Sequence, residues 1–297
     1  MTDVDGMTEV AGRTAIVSGG TFGIGRAITL TLARDGFFVV AFGLEDRQPS
    51  SIAEAAIPDL QIDLDAVVGP GGGKAMEADV TSASDVQRVV ATALERDGRI
   101  AALVNNAAIG PVGTILDTDE DLWDRIMAVN LKGPYLMSRA VLPHMLEAGE
   151  GAIVNIGSGA GYGKPGMAAY AASKGGVHTL SAAMAYDLLH LGIRVNTVIP
   201  GGGGIVSGMS LGRLGGDRAA LANRAIPGTA AGRPAEPADI AEAVAFLVSD
   251  RAVAISGTVV DVGSFTNQGG PAPTRVYAPT ADHAPTSEIE PASRQHG

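Results

Sequence analysis

Tyr170 and Lys174 are the pair of side chains whose types and spacing point most directly to chemistry. They lie four residues apart in a stretch of small residues that is typical of a helix, so both would project from one helical face. A phenol has a pKa of roughly 10 in water, and a neighbouring ammonium favours the phenolate and lowers that pKa. The pair therefore predicts a proton donor and acceptor that works near neutral pH, although so short a pattern also occurs in helices by chance.

Ser158 and Asn130 are the further candidates for this site. Ser158 follows the apolar run Ala152–Ile156, which is predicted to be a strand, and a glycine-rich turn separates it from Tyr170. Asn130 interrupts the apolar face of a helix that Thr118 is predicted to open with a capping box. Pro134 requires an irregularity if this helix continues, and a disturbed turn leaves a carbonyl near Asn130 that can hold a water.

A glycine-rich turn lies between the first predicted strand and the first predicted helix. The strand is Arg13–Ser18, the turn is Gly19–Gly25, and the helix ends at Gly36. Main-chain N–H groups and the positive end of the helix dipole favour an anionic group at such a turn, and a pyrophosphate is one example. The glycine spacing is G-x-x-x-G-x-G, so the sequence predicts a dinucleotide site without the commonest fingerprint.

The end of the second predicted strand, Phe37–Phe42, bears on the choice of dinucleotide. An acidic residue there binds the ribose 2′-hydroxyl of NAD, whereas a basic residue accommodates the 2′-phosphate of NADP. Gly43 and Leu44 are neutral, and the acidic pair Glu45-Asp46 favours NAD while Arg47 favours NADP. NAD is therefore slightly favoured over NADP.

The remaining apolar runs alternate between strand and helix patterns. Ile57–Leu64 fits either a helix or a short strand, and Ser82 or Ser84 would cap the helix that ends near Gly98. The other predicted strands are Ala75–Ala78, Ile100–Val104 (followed by Asn105–Ala108), Ile193–Val198 (followed by Pro200-Gly201) and Thr258–Val262, and a last helix covers Pro237–Asp250.

This alternation predicts a single-domain α/β fold, a doubly wound (Rossmann) parallel sheet of about seven strands with helices on both faces. Ligands bind such sheets at the carboxyl ends of the strands. The glycine turn, Asn105–Ala108, Ser158 and Pro200 all follow strands, so they are predicted to form one site. We expect residues 1–10 to be a flexible lead-in, 11–269 the catalytic domain, about 201–233 a substrate lid, and 270–297 a poorly ordered tail.

Composition excludes several other classes of function. A formal net charge of −11 argues against a nucleic-acid partner, and the absence of cysteine excludes disulfides and thiolate metal sites. The five histidines lack zinc-ligand spacing, and no apolar run reaches the roughly 18 residues of a membrane span. The acidic N-terminus does not resemble a signal peptide, so we expect a cytoplasmic protein with neither a nucleic-acid nor a membrane partner.

The motifs together resemble the short-chain dehydrogenase/reductase family. They are S18-G-G-T-F-G-I-G25, D79-V80, N105-N-A-A108, Asn130, Ser158, Y170-A-A-S-K174 and the segment that ends in Pro200-Gly201. The resemblance implies an NAD(P)-dependent oxidoreductase that interconverts a secondary alcohol and a ketone, packed as a homotetramer through the long helices 119–146 and 168–190. It implies dinucleotide contacts for Gly19, Thr21, Phe22, Gly23, Ile24, Gly25, Asp79, Val80, Asn106, Ala107, Tyr170, Lys174, Pro200 and Gly201.

The resemblance also implies the catalytic roles. Tyr170 would be the general acid and base, Lys174 would bind the nicotinamide ribose, Ser158 would polarise the substrate oxygen, and Asn130 would support a water in the proton relay. The segment between Ser158 and Tyr170 is one residue shorter than is usual in the family.

Two alternative functions remain. Basic residues of the predicted lid would suit a 3-oxoacyl-thioester on an acidic carrier protein, and a non-catalytic dinucleotide-binding protein could share the fold. The basic residues are Arg213, Arg218, Arg224 and Arg233.

Overall fold

Seven parallel strands form one sheet in the order β3-β2-β1-β4-β5-β6-β7. The computed structural model describes residues 13–45, 57–201, 209, 217, 219, 233 and 235–263. The strands are β1 (Thr14–Ser18), β2 (Phe38–Gly43), β3 (Gly73–Glu77), β4 (Ala102–Asn105), β5 (Gly151–Ile156), β6 (Ile193–Pro200) and β7 (Val259–Val262). The predicted doubly wound parallel sheet is confirmed.

Seven α-helices cover the sheet in the part of the chain that the structure describes. They are α1 (Gly23–Arg34), α2 (Ile57–Val68), α3 (Ala83–Asp97), α4 (Glu120–Met127), α5 (Gly133–Ala148), α6 (Ala168–Asp187) and α7 (Pro237–Val248). Helices α1, α2 and α7 pack on one face, and α3, α5 and α6 on the other. Strand β1 shows why both faces are needed, since Ala15 and Val17 point into the first core and Ile16 into the second.

The strand order reverses between β1 and β4, which pair side by side so that Ser18 is opposite Asn105. The chain leaves β1 towards one edge of the sheet and leaves β4 towards the other, so a crevice opens above these two strand ends. The candidate site therefore lies where the sheet topology itself leaves room for a ligand.

The structure decides two features that the sequence left open, the state of residues 57–68 and the cap of α3, and it shows that the predicted cap of α4 is wrong. Residues 57–68 form helix α2, and Ser82 caps α3 by accepting the Asp85 N–H. Helix α4 is capped by Asp119, which accepts the Leu122 N–H, and not by Thr118 as the capping box predicted. The helix begins at Glu120, one residue later than the capping box predicted, and the Thr118 hydroxyl instead donates to the Thr114 carbonyl.

Several predicted features fall outside the described residues. The lead-in 1–10, the tail 270–297, Asp46 and Arg47, and most of the predicted lid belong to this group. Among the described residues, no helix combines the length and apolar character needed to cross a membrane, and no cluster of three acidic or histidine side chains suits a metal ion.

Candidate active site

Main chain from the glycine turn, from the start of α1 and from the loop after β4 lies in close contact. Gly19 has φ +62°, and a methyl group added to it would lie 2.8 Å from the Cα atom of Ala107. A methyl group on Gly25 would overlap the Gly19 carbonyl oxygen. Only glycine fits these two positions, because one needs a left-handed conformation and both need room for neighbouring main chain.

The N-terminus of α1 faces this turn without a protein group to cap it. Phe22 is the N-cap residue and makes no side-chain capping bond, and the first turn, which includes Gly23 and Ile24, contains no acidic residue. The first N–H groups of a helix have no partner within the helix. This end of α1 therefore fits a pyrophosphate, and the close-packed glycines let such a group approach the main chain.

Ser18 and Asn106 connect the glycine turn to the end of β4. The Ser18 hydroxyl accepts the N–H groups of Asn106 and Ala107 at 3.0 and 3.2 Å. In return the Asn106 side chain donates to the carbonyls of Ser18 and Gly19, at 3.2 and 2.8 Å. The predicted contact residues of the two strand ends are thus held in one rigid unit.

Thr21 and the residues after β3 define the expected adenosine side. A methyl group on Gly43 would lie 2.8 Å from the Thr21 hydroxyl oxygen, so Thr21 closes over the end of β2. Asp79 is oriented by Thr81, which donates both its N–H and its hydroxyl to one carboxylate oxygen. The Val80 side chain is buried in the core, so Val80 could contact a ligand only through its main chain.

Tyr170 and Lys174 both lie on α6 and are both buried, at 7% and 3% exposure. The Tyr170 ring packs against Ala160 and Met167, and Met209 covers this cluster. The Lys174 ammonium donates to the carbonyl of Ile156, the last residue of β5, at 2.8 Å. Burial lowers the pKa of Lys174 from 10.5 to about 8, because desolvation disfavours the ammonium.

Ser158 begins a single turn of 3₁₀ helix, Gly159–Tyr162, that leads from β5 towards α6. Its hydroxyl oxygen accepts the Ala160 N–H at 3.2 Å, which leaves the hydroxyl proton for another acceptor. Because Ala160 packs against Tyr170, this turn places Ser158 beside the phenol-bearing helix. The shortened Ser158–Tyr170 segment therefore still brings the two predicted residues to the same end of the sheet.

Asn130 lies in a π-helical turn, Ala128–Lys132, between α4 and α5. The Gly133 N–H donates to the Ala128 carbonyl five residues earlier, so the irregularity predicted before Pro134 is confirmed. The shift from fourth to fifth neighbour leaves one carbonyl of the turn without a helical partner. The Asn130 side chain is fully buried and makes bonds to both main-chain groups of Ile109 and to the Ser173 hydroxyl.

Pro200 and Gly201 follow β6 at the far side of the crevice. Pro200 is the last residue of β6 and pairs with Val262 of β7. Gly201 is buried, and a methyl group there would overlap the Val262 carbonyl oxygen and lie 2.8 Å from Ala235. Pro200 and Gly201 therefore lie at the carboxyl edge of the sheet, as do the glycine turn, Asn106 and Ser158, which also follow strand ends.

Three contributors were missed in the sequence. Ser173 joins Asn130 to the Tyr170 turn, since its hydroxyl donates to the Tyr170 carbonyl at 2.8 Å. His178 lies one turn after Lys174 and accepts the Ser158 N–H at 3.4 Å. Ser18 was recognised as the first residue of the glycine motif, but its bonds to Asn106 and Ala107 were not predicted. The i, i+4 spacing of Lys174 and His178 was the one sequence signal, because it places both on the same helical face.

Comparison with known proteins relates this arrangement to characterised enzymes. A family model described as Enoyl-(Acyl carrier protein) reductase matches residues 19–264. 2-(S)-hydroxypropyl-CoM dehydrogenase 3 of Xanthobacter autotrophicus is 40% identical over 252 residues, 83% of this chain and 93% of that protein. Cyclopentanol dehydrogenase of Comamonas sp. is 37% identical over 267 residues, 88% of this chain and 100% of that protein. The 3-oxoacyl-[acyl-carrier-protein] reductase FabG of Thermotoga maritima is 32% identical over 255 residues, 86% of this chain and 97% of that protein.

Proposed function

We propose, since the chain belongs to the short-chain dehydrogenase/reductase family of oxidoreductases, that it interconverts a secondary alcohol and a ketone. The observation that carries the proposal is the buried Tyr170–Lys174 pair beside Ser158, at the sheet edge that also holds the glycine turn. Two relatives are named as dehydrogenases of 2-(S)-hydroxypropyl-CoM and cyclopentanol, both secondary alcohols.

The dinucleotide would be held along the crevice between β1 and β4. Gly19 and the amino end of α1 would bind the pyrophosphate, with Thr21 and Phe22 alongside. Asp79 and Val80 would border the adenine, while Asn106 and Ala107 would border the adenosine ribose. Pro200 and Gly201 would border the nicotinamide end. The bound dinucleotide supplies the hydride acceptor in oxidation and the hydride donor in reduction.

Tyr170 would take the proton from the substrate hydroxyl in oxidation and return it to the ketone oxygen in reduction. Ser158 would donate its hydroxyl proton to the same substrate oxygen, because its own oxygen already accepts the Ala160 N–H. Donation to the oxygen stabilises the negative charge that it carries as the carbon–hydrogen bond breaks. The burial of Tyr170 keeps bulk water away from the reacting oxygen.

Lys174 would act on Tyr170 by charge and on the nicotinamide ribose by hydrogen bonding. Its ammonium uses one N–H for the Ile156 carbonyl, and two more N–H groups remain for ligands. The positive charge would favour the phenolate form of Tyr170 as it takes part in proton transfer. Asn130 would fix the π turn whose displaced carbonyl holds a water of the proton relay.

A replacement of Tyr170 by phenylalanine tests the mechanism. Tyr170→Phe removes the proton-transferring oxygen and keeps the ring that packs against Ala160 and Met167, so the fold is retained. We expect kcat for cyclopentanol oxidation to fall by at least about 10³-fold, while the dissociation constant of the dinucleotide stays within about twofold. Tyr162→Phe, which alters an exposed tyrosine in the same segment, is the matched control. A Tyr170→Phe enzyme with wild-type turnover would refute the mechanism.

A 3-oxoacyl-thioester reductase is the second candidate, and the resemblance to an acyl-carrier-protein reductase favours it. Among the basic residues of the predicted lid, Arg233 is the one that the structure describes. It already forms a bidentate ion pair with Asp239 of α7, so it offers limited support for docking an acidic carrier protein. Reduction of acetoacetyl-coenzyme A and of cyclopentanone, compared by kcat/KM, decides between the two. A higher kcat/KM for the thioester would replace the small-ketone assignment.

NAD is proposed as the preferred dinucleotide. Among the described residues at the end of β2, Glu45 is the charged one, and its carboxylate would repel a 2′-phosphate. We expect tighter binding of NADH than of NADPH, measured by titration of nucleotide fluorescence. Glu45→Gln should narrow the ratio of the two dissociation constants, and an unchanged ratio would show that Glu45 takes no part.

Residues 201–233 are proposed as the substrate lid. Met209 belongs to this segment and packs on the cluster of Ala160, Met167 and Tyr170. An apolar side chain at that place would shield the reacting atoms once substrate is bound. Met209→Gly should raise the KM for cyclopentanol more than it changes the dissociation constant of the dinucleotide.

A homotetramer is proposed through α5 and α6. An apolar groove of about 340 Å³ lies between these helices, and Tyr135, Leu146 and Met184 are among its lining residues. Tyr135 and Leu146 are each 43% exposed in the single chain, so a second copy would bury apolar surface there. Leu146→Glu should yield smaller species in light scattering, whereas Ile62→Glu, at an exposed position of α2, should not.

A further inference from the structure

His178 supports the main chain that carries Ser158. It lies on α6, one turn beyond Lys174, and its Nε2 atom accepts the Ser158 N–H at 3.4 Å. The ring of Tyr162, at the end of the turn that Ser158 begins, lies 5.0 Å from the imidazole, centre to centre. The imidazole therefore contacts both ends of the short turn.

Two glycines make room for this imidazole. A methyl group on Gly157 would lie 2.6 Å from Nε2 of His178, and one on Gly161 would lie 2.7 Å from its Cε1 atom. Neither glycine has a positive φ, so space and not backbone conformation explains why a side chain is absent. The main chain from Gly157 to Gly161 thus wraps around the ring, and the position of Ser158 depends on it.

The hydrogen bond to Ser158 requires a neutral imidazole. A ring nitrogen accepts a hydrogen bond only when it carries no proton, so the proton of neutral His178 lies on Nδ1. The groups around the ring do not stabilise its protonated form. Lys174 on the same helix is cationic and repels a second positive charge, while Tyr162 is a phenol and Thr197 of β6, beside Gly157, is uncharged. Burial, and then the charge of Lys174, lower the pKa of His178 below 6.5.

We propose that His178 is a positioning residue, whose neutral imidazole holds Ser158 in its productive place and whose protonation releases it. The inference rests on the proposed alcohol–ketone interconversion, in which Ser158 donates to the substrate oxygen. Once Nε2 carries a proton, it faces the Ser158 N–H as a second donor, and the two groups repel each other. Loss of the bond displaces Ser158 but alters neither the glycine turn nor the bond from Lys174 to the Ile156 carbonyl, so dinucleotide binding should change little.

Two substitutions separate the acceptor from the ring. His178→Gln keeps an acceptor oxygen at a similar reach but does not titrate, whereas His178→Leu fills the space without an acceptor. Turnover is measured as the reduction of cyclopentanone by NADH between pH 5 and 8. In this direction Tyr170 must be protonated, so loss of its proton slows turnover on the alkaline side. The acid side of the pH profile is then left to report on His178. His190→Gln, an exposed histidine beyond α6, is the matched control.

The wild-type enzyme should lose kcat at acid pH, as the pH falls through the lowered pKa of His178. His178→Leu should lower kcat about 10- to 100-fold at pH 7, with the dissociation constant of NADH within about twofold of wild type. His178→Gln should recover kcat to within about threefold of wild type and lack the acid limb. Wild-type kcat in His178→Leu, an acid limb retained in His178→Gln, or equal losses in both variants would overturn the proposal.

A nuclear magnetic resonance titration tests the same contact without turnover. In wild-type protein the Ser158 amide resonance should titrate together with the His178 imidazole, and in His178→Gln it should be insensitive to pH over the same range. A Ser158 amide that ignores the titration of His178 would overturn the inference. If the wild-type enzyme turned over no alcohol or ketone, the proposed function would fail, and this titration would still decide whether His178 holds Ser158.

Discussion

Lys174 provides the sharpest test of the site, because burial of its ammonium makes stability depend on pH. Its pKa is lowered from 10.5 to about 8, so between these values the unfolded chain binds a proton that the folded chain does not. Stability must therefore rise with pH in that window. The charged lysine costs about 3 kcal/mol at pH 7 and about 2 kcal/mol at pH 9, since each pKa unit corresponds to 1.36 kcal/mol.

Lys174→Met removes this charge and fills the same space. The variant also leaves the Ile156 carbonyl unpaired, which costs about 1–3 kcal/mol at every pH, so its net stability at one pH is uninformative. The difference between two pH values is informative: from pH 7 to 9, nucleotide-free wild-type protein should gain about 1 kcal/mol relative to Lys174→Met. Urea unfolding at fixed protein concentration measures it.

Lys164→Met, at an exposed lysine in the segment before α6, is the matched control. An equal pH-dependent difference in Lys164→Met would show that burial is not its cause. If the free energies of unfolding of wild type and Lys174→Met differed by the same amount at pH 7 and at pH 9, burial would not destabilise the charged form of Lys174, and the prediction would be refuted.

Other consequences concern the nucleotide turn and the buried polar network. Gly25→Ala forces the Gly19 carbonyl aside, so NADH binding measured by fluorescence titration should weaken at least about tenfold; unaltered binding would place the pyrophosphate elsewhere. Asn155→Leu removes the two buried bonds that Asn155 makes, one from the Asn105 amide and one to the Ser181 hydroxyl, so the free energy of unfolding should fall by about 2 kcal/mol in a urea titration, and a change below about 0.5 kcal/mol would contradict the network. Asn130→Ala removes three bonds that fix the π turn, so kcat should fall with little change in NADH affinity.

Local pattern was sufficient where a feature depends on near neighbours in the chain. The buried strands are apolar runs because both faces of the sheet are covered, and the spacing of Tyr170 and Lys174 puts both on α6. Pro134 made an irregular turn predictable, since it removes a helical hydrogen bond.

Features that depend on distant partners could not be predicted. Asn130 looked like a lone polar residue, yet its partners are Ile109 and Ser173, 21 and 43 residues away. The helical state of 57–68 depends in part on Gln61, which bonds to Gly73 and Ala75 of β3. His178 had no ligand-like spacing, and its partner Ser158 lies on another element.

Two main-chain hydrogen bonds attach the loop after β4 to the start of α6 and the segment before it. The Gly113 N–H donates to the Gly166 carbonyl at 2.8 Å, and the Ala168 N–H donates to the Gly113 carbonyl at 3.0 Å. These bonds need no particular side chain, and Val112, Ile115 and Leu116 of this loop are exposed. Mutation can therefore change these side chains without breaking the two bonds that hold the loop, so the surface of this loop can diverge faster than the sheet and helices to which it is attached.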